Sequence, residues 1–262
     1  MYANYHTHTF RCTHARGTER EYIETAVAAG MKVLGFADHS PYPFEDIHYS
    51  GFRMRCAELA DYCETLRSLR EEYKDVIDIR IGLEAEYYPA HFADLCALAD
   101  ENGVEYFIMG QHFTCNEYDG GEWSNKGYSF RETTDPRCLE KYCSQVCEGI
   151  ETGRFLYVAH PDLIRFTGDR DVYAEQVDRI ITLSKERGMP LEYNLLGLDD
   201  GRHYPNPVFW EQAAKRGAKV VLGCDAHDAE RLDRPDLEKR AVRYLETLGM
   251  APEKELVLPK RI

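Results

Sequence analysis

Strand-like and helix-like runs alternate seven times along this chain, and every strand-like run gives way to a histidine, a carboxylate or an amide. Such alternation is the pattern of a parallel sheet with helical crossovers, because parallel neighbours cannot be joined by a tight turn. The strand-like runs lie near residues 2–7, 33–37, 77–83, 106–109, 155–159, 190–193 and 219–223. At or just beyond their ends stand His6 with His8, Asp38 with His39, Glu84, His112, His160, Asn194, and Asp225 with His227.

The helices between them carry their own punctuation. Thr18-Glu19-Arg20-Glu21 has the form of a capping box, and Gly30 closes the helix that it opens. Asn206-Pro207 gives an N-cap followed by proline at the first helical position, with Gly217 at the far end. Amphipathic runs over 52–73, 90–102, 136–152 and 236–249 complete the set, together with one that carries Tyr173, Val177, Ile180, Ile181 and Ser184 on one face. The irregular stretch 114–135 is too long for a simple connector, and such loops carry function or act as lids. No linker, internal repeat or low-complexity tract divides the 262 residues, a length that suits one α/β barrel, so a single domain over 1–262 is expected.

Composition narrows the partners. A net charge of −14 without a Lys/Arg cluster disfavours nucleic acid and other large polyanions. There is no long uncharged apolar run and no basic-then-apolar N-terminal pattern, so a cytoplasmic protein without membrane attachment is expected. Nine cysteines with no C-x-x-C pair read as reduced thiols; Cys56, Cys63, Cys143 and Cys147 fall at helical spacing with apolar neighbours. Oligomeric state is not readable.

The histidines carry the chemistry. In an extended segment, side chains two apart share a face, so His6 and His8 can reach one ion, and neutral imidazole is a common zinc-type ligand. In a parallel barrel the carboxyl ends of the strands converge on one face, which brings residues more than two hundred positions apart together. Buried His, Asp and Glu without partner Lys or Arg need a cation.

The set His6-Thr7-His8, Phe10-x-Cys12-x-His14, Ala37-Asp38-His39-Ser40, Gly82-Leu83-Glu84, Gly110-Gln111-His112, Ala159-His160-Pro161-Asp162 and Cys224-Asp225-Ala226-His227 resembles the PHP (polymerase and histidinol phosphatase) superfamily. The resemblance implies an α/β fold, a distorted (β/α)7 TIM-like barrel, with three divalent metal ions (Zn, Fe or Mn). One ion would take His6, His8, Glu84 and Asp225; a second would share Glu84 and add His112 and His160; the third would take His14, His39 and His227. Glu84, Asp225 and His227 are the implied catalytic positions, with Asp38 orienting an imidazole from behind.

Phe-x-Cys-x-His at 10–14 looks like the histidinol-phosphatase branch, which implies hydrolysis of a small phosphate monoester such as L-histidinol phosphate, in histidine biosynthesis. A phosphoesterase of the same superfamily acting on another phosphate monoester, or on a nucleotide or phosphodiester, is the alternative. An amidohydrolase-type barrel also opens with His-x-His, but typically has a carbamylated Lys where this chain has Glu84. Arg165 and Arg202 are candidate phosphate forks, since guanidinium binds two oxygens at once, and Ser40 is a candidate donor to phosphate. The branch usually carries an Arg where this chain has Asp199, so the phosphate pocket is expected to differ there. Glu45, Asp46, Glu117 and Asp119 are carboxylates available to a substrate ammonium, and His48 and His203 are candidate pocket borders.

Overall fold

The computed structural model describes residues 1–44, 50–114 and 127–258. Its seven strands are β1 (Ala3–Asn4), β2 (Val33–His39), β3 (Asp78–Ala85), β4 (Tyr106–Met109), β5 (Phe155–Val158), β6 (Leu191–Asn194) and β7 (Val220–Gly223). They form one sheet in sequential order with every pairing parallel. The ends of the sheet meet. Thr7 bridges Ala226, the His8 amide donates to the Ala226 carbonyl at 2.9 Å, and the Cys224 amide donates to Asn4 Oδ1 at 2.9 Å. The result is a distorted seven-stranded barrel of the expected TIM-like kind.

Among the described residues eight helices surround it: α1 (Glu19–Ala28), α2 (Leu59–Tyr73), α3 (Phe92–Asn102), α4 (Pro136–Glu151), α5 (Arg170–Arg187), α6 (Leu195–Asp200), α7 (Pro207–Arg216) and α8 (Pro235–Thr247). The expected caps are present. Thr18 accepts from the Glu21 amide while the Glu21 carboxylate accepts from the Thr18 amide, and Asn206 accepts from the Val208 amide at 2.9 Å. On α4, Leu139, Tyr142, Cys143, Val146 and Ile150 face inward, and each such apolar side chain contributes roughly 1.5–3 kcal/mol of burial.

Two-residue alternation separates two layers of core. Val33 and Ala37 join Tyr5, Tyr106, Ile108, Tyr157 and Val221 inside the barrel, while Leu34 and Phe36 face the helices with Ile79, Ile81 and Leu83. Leu256 and Leu258 pack against the interior layer, held by the Leu256 amide donating to Tyr5 Oη at 3.0 Å.

Two local expectations are corrected, and one helix was not foreseen. The helix expected over 52–73 starts at Leu59, after a 3₁₀ turn at Cys56–Glu58, because Arg53 turns inward, 2% exposed, to pair with Glu86 at 2.8 Å. A helix there would carry that guanidinium away from the barrel. The first strand pairs only over Ala3–Asn4, the rest being bent toward Ala226. Finally α6 follows β6 directly, capped by Asn194 accepting from the Gly197 amide at 2.8 Å; six residues are too few to display a helical period.

Candidate metal centre

All nine side chains singled out in the sequence converge at the carboxyl end of the barrel, around Glu84 at the end of β3. Glu84 Oε1 lies 2.9 Å from His160 Nε2 and 3.5 Å from the Nε2 atoms of His6 and His112. Its other oxygen lies 3.0 Å from His39 Nδ1 and 3.5 Å from His8 Nε2. Asp225 Oδ1 stands 3.5 Å from His6 Nε2, 3.3 Å from His8 Nε2 and 3.4 Å from His227 Nδ1. His160 and Asp225 hold positive φ values of 28° and 48°, backbone that L-residues rarely adopt and that concentrates at functional sites.

Hydrogen-bond partners fix the ring tautomers. A carbonyl oxygen only accepts, so His14 Nδ1, 2.8 Å from the Cys12 carbonyl, and His227 Nδ1, 3.1 Å from the Asp225 carbonyl, both carry the proton. Their Nε2 lone pairs then face each other at 3.0 Å. Two lone pairs at that distance repel unless a cation lies near both. His6 Nδ1 likewise points at Glu192 at 2.7 Å and His112 Nδ1 at Glu86 at 2.8 Å, which turns their Nε2 atoms inward to Glu84. His6 Nε2, both nitrogens of His8, His39 Nδ1 and Glu84 Oε2 are buried without a hydrogen bond; the His39–Glu84 contact is close but misaligned. His14, His39 and His227 offer ligand atoms within 4.8 Å of one another, as do His6, His8 and Glu84. Orphaned lone pairs around buried carboxylates fit divalent metal.

Protonation agrees with that fit. Burial opposes ionisation of Glu84, but His112, His6, His39 and the hydrogen bond from His160 hold its carboxyl well below the usual range. Asp225 is held low in the same way by His6, His8 and His227. Burial, with His227 adding to it, pulls His8 down to about 3, and burial lowers His14 and His39 as well. The ionised carboxylates and the lowered His8, His14 and His39 are in the states that ligate metal, whereas His6, raised against burial by Glu192 and Asp225, and His112, raised against burial by Glu84 and Glu86, would release a proton on ligation.

Sequence reasoning missed the supporting carboxylates. Glu192 on β6 accepts from His6 and from the His160 amide at 2.9 Å, and Glu86 holds His112 and Arg53. A signal existed: Glu192 and Asn194 are two apart on β6, and Glu86 stands two residues after Glu84, just past the end of β3. Asn194 donates to Asp225 Oδ2 at 3.2 Å and so positions that carboxylate. Asp38 lies 3.9 Å from His8 Nδ1, too far to orient the ring; it accepts from the Thr9 amide at 2.8 Å and the Thr9 hydroxyl at 2.6 Å, which fixes the turn after His8. Cys12 and Cys224 are buried, and burial pushes both thiols up to about 12, away from the thiolate form.

A cavity of about 700 Å³ opens over this centre. His14, His39, Glu84, His112, His160, Asp225 and His227 form its floor. Phe52, Phe113, Tyr128 and Phe130 line one part of the wall, and Asp200, Arg202, Tyr204, Asp228 and Arg231 line another. Arg202 is thus placed as expected, and Arg231 was not foreseen. Arg165 does not line the cavity; its guanidinium is exposed and pairs with Glu132 at 2.9 Å. Ser40 does not line it either, since its buried hydroxyl donates to the Glu84 carbonyl at 2.8 Å. His203 stands behind the wall, against the Leu163 carbonyl at 2.6 Å and edge-on to Phe130. Glu45, Asp46, His48, Glu117 and Asp119 fall outside the described residues.

A parallel barrel whose carboxyl-end mouth gathers seven imidazoles and two carboxylates beneath an arginine-bearing cavity defines a metal-dependent hydrolase of the TIM-like class. The PHP domain model matches residues 4–195, and the chain belongs to that family. Among similar proteins, one from Deinococcus radiodurans named "Probable histidinol-phosphatase" is 29% identical over 228 residues, covering 85% of each chain. The Bacillus subtilis protein named histidinol-phosphatase is 26% identical over 255 residues, covering 86% of this chain and 92% of that one. The crystal structure of histidinol phosphate phosphatase from Lactococcus lactis, complexed with zinc, L-histidinol and phosphate, superposes with a TM-score of 0.73 at 19% identity over 98% of both chains. Among the described residues no helix is long and apolar enough to cross a membrane.

Proposed function

We propose that this chain is a phosphatase that hydrolyses a small phosphate monoester, histidinol phosphate, giving histidinol and phosphate. The observation that carries the reading is the facing Nε2 pair of His14 and His227 beside the ionised Glu84 and Asp225, all beneath a cavity that also exposes Arg202. The relatives named histidinol-phosphatase supply the choice of ester.

Nine side chains offer ten contacts, enough for three divalent ions of zinc, iron or manganese. His6, His8, Glu84 and Asp225 would hold one, Glu84, His112 and His160 a second, and His14, His39 and His227 the third. When bound, the ions supply Lewis-acid polarisation and water that is acidic near neutral pH. The remaining work falls to the chain. Glu192 and Glu86 keep the His6 and His112 rings aimed at Glu84, so little reorganisation is needed when charge develops. Arg202 presents its guanidinium to phosphoryl oxygens, and Tyr204 Oη, 2.8 Å from it, holds it in place. Phe52, Phe113 and Phe130 offer ring faces and edges to an imidazole-sized group, and Asp228, which also lines the cavity, offers a carboxylate to an ammonium.

Phosphate release should be measured from metal-loaded protein with histidinol phosphate, nucleoside monophosphates and sugar phosphates, alongside cleavage of single-stranded DNA. Histidinol phosphate is expected to lead by about a hundredfold or more in kcat/KM, a margin that a site matched to both ends of its substrate reaches. Cleavage of DNA with the monoesters spared would overturn the reading.

A further inference from the structure

Two arginines of the cavity wall share one carboxylate. Arg202 Nη2 donates to Asp200 Oδ2 at 2.8 Å and its Nε to the same oxygen at 3.2 Å, while Arg231 Nη2 donates to Asp200 Oδ1 at 3.2 Å. All three residues line the cavity that holds the metal-ligand cluster. Arg202 follows the end of α6, and Arg231 lies in the 3₁₀ turn Ala229–Leu232 that follows His227, so the two guanidinium groups reach the cavity from different segments. Behind them, Asp199 binds Arg234 through both oxygens, at 2.7 and 2.8 Å, and touches Arg231 Nη1 at 3.3 Å.

We infer that Arg202 and Arg231 form a two-arginine clamp for the phosphate group and that Asp200 is its resting counter-ion, displaced when phosphate enters. The inference rests on the phosphomonoesterase reading above. A carboxylate and a phosphoryl group present oxygen pairs of similar spacing, and guanidinium binds either as a fork. Asp200 therefore marks, oxygen by oxygen, where two phosphoryl oxygens meet the arginines. Phosphate brings more oxygens and more charge than one carboxylate, so it wins both guanidinium groups. Asp200, Arg202 and Arg231 side chains are each about one-third exposed or less, which leaves them reachable from the cavity. Asp199 and Arg234 lie outside the cavity-lining set and act as the anchor that keeps Arg231 at the wall.

The arrangement accounts for a peculiarity of the sequence. Position 199 is acidic and points its charge at Arg231 and Arg234 rather than into the cavity. The positive charge facing the cavity comes instead from Arg202 and from Arg231, about thirty residues later in the chain.

The test is calorimetric binding of inorganic phosphate to metal-loaded protein, together with KM and kcat for a phosphate monoester. Arg231→Gln is expected to weaken phosphate about tenfold or more and to raise KM more than it lowers kcat, the loss typical of a charged hydrogen-bond donor. Asp200→Asn is expected to tighten phosphate a few-fold, and the double variant to lose that tightening. Arg216→Gln should stay within about twofold, since its exposed guanidinium pairs with Asp178 outside the cavity lining. If Arg231→Gln fails to fold, Arg231→Lys replaces it, with an expected weakening of about threefold because the ammonium keeps the charge but not the fork. Wild-type affinity in the Arg231 variant, or weaker phosphate binding in Asp200→Asn, would overturn the clamp. A protein that binds phosphate with this pattern but hydrolyses no monoester would leave the clamp standing and remove the phosphatase reading.

Discussion

His14 and His227 come from opposite ends of the chain, yet their Nε2 atoms lie 3.0 Å apart while each Nδ1 is committed to a backbone carbonyl. Neither ring can turn to relieve the opposed lone pairs without giving up a hydrogen bond. The pair, with His39 packed on His14 at a centroid distance of 5.2 Å, is the proposed third cation site. His227→Ala should lower bound metal by about one equivalent and leave the ions around Glu84 in place, as removal of one ligand from a separate three-ligand site does. Elemental analysis of dialysed protein reads this directly; an unchanged metal content would refute the separate third site.

Glu84 touches five imidazoles, so its loss should be worse than that of any other single ligand. Glu84→Gln removes the negative charge and one of the two candidate ligand oxygens at nearly constant shape. Turnover is expected to fall by at least about a hundredfold with loss of more than one equivalent of metal. A fully active variant would contradict its bridging role.

Gly110 and Gly223 are required by close approach. A Cβ at Gly110 would stand 1.9 Å from Glu84 Oε1, and one at Gly223 would stand 1.7 Å from Glu192 Oε1. Both carboxylates are held by imidazoles and cannot swing away without breaking those contacts. Gly110→Ala should reduce metal affinity about tenfold or more by displacing Glu84. Glu192→Gln should cost a similar factor, because His6 loses the acceptor that aims it. Metal titration of the chelator-treated variants measures both.

Arg202 and Arg165 were equivalent candidates by residue type, but the fold separates them. Arg202→Ala should raise KM about tenfold or more, and Arg165→Ala, which removes an exposed pair with Glu132, should have the smaller effect. Steady-state kinetics on the two variants ranks them, and the reverse order would place the phosphate at the Arg165 side.

Asp162 gives the fold a pH dependence of its own. Burial raises its carboxyl from 3.8 to about 6, although the Asn206 amide and, at 3.2 Å, the Trp210 indole donate to it. Its folded-state value lies above its unfolded one, so the folded state holds the proton more tightly. Its contribution is full below pH 3.8 and is lost as pH rises through 6. Asp162→Asn should abolish that component, so that its stability relative to wild type improves by on the order of 2–3 kcal/mol between pH 4 and pH 7. Denaturant unfolding of the chelated proteins at both pH values is the measurement; a difference that does not change with pH would disprove the assignment.

The sequence by itself determined the barrel and the set of side chains that meets at its mouth. Two-residue alternation, caps such as Thr18 with Glu21, and polar residues at seven strand ends are local signals, and a parallel barrel has only one place to put them. Glu86 and Glu192 escaped because their task is defined by His112 and His6, which lie on other strands. Arg53 escaped because its pairing with Glu86 breaks a helical pattern that was otherwise intact. Only the tertiary structure decided which arginines face the cavity. Long charged side chains have no period that reveals their direction, so Arg165 and Arg202 were indistinguishable until packing turned one toward Glu132 and the other toward Asp200. Ligands that sit on strands inherit their aim from the backbone, while wall residues on loops take theirs from neighbours that the chain supplies far away in sequence.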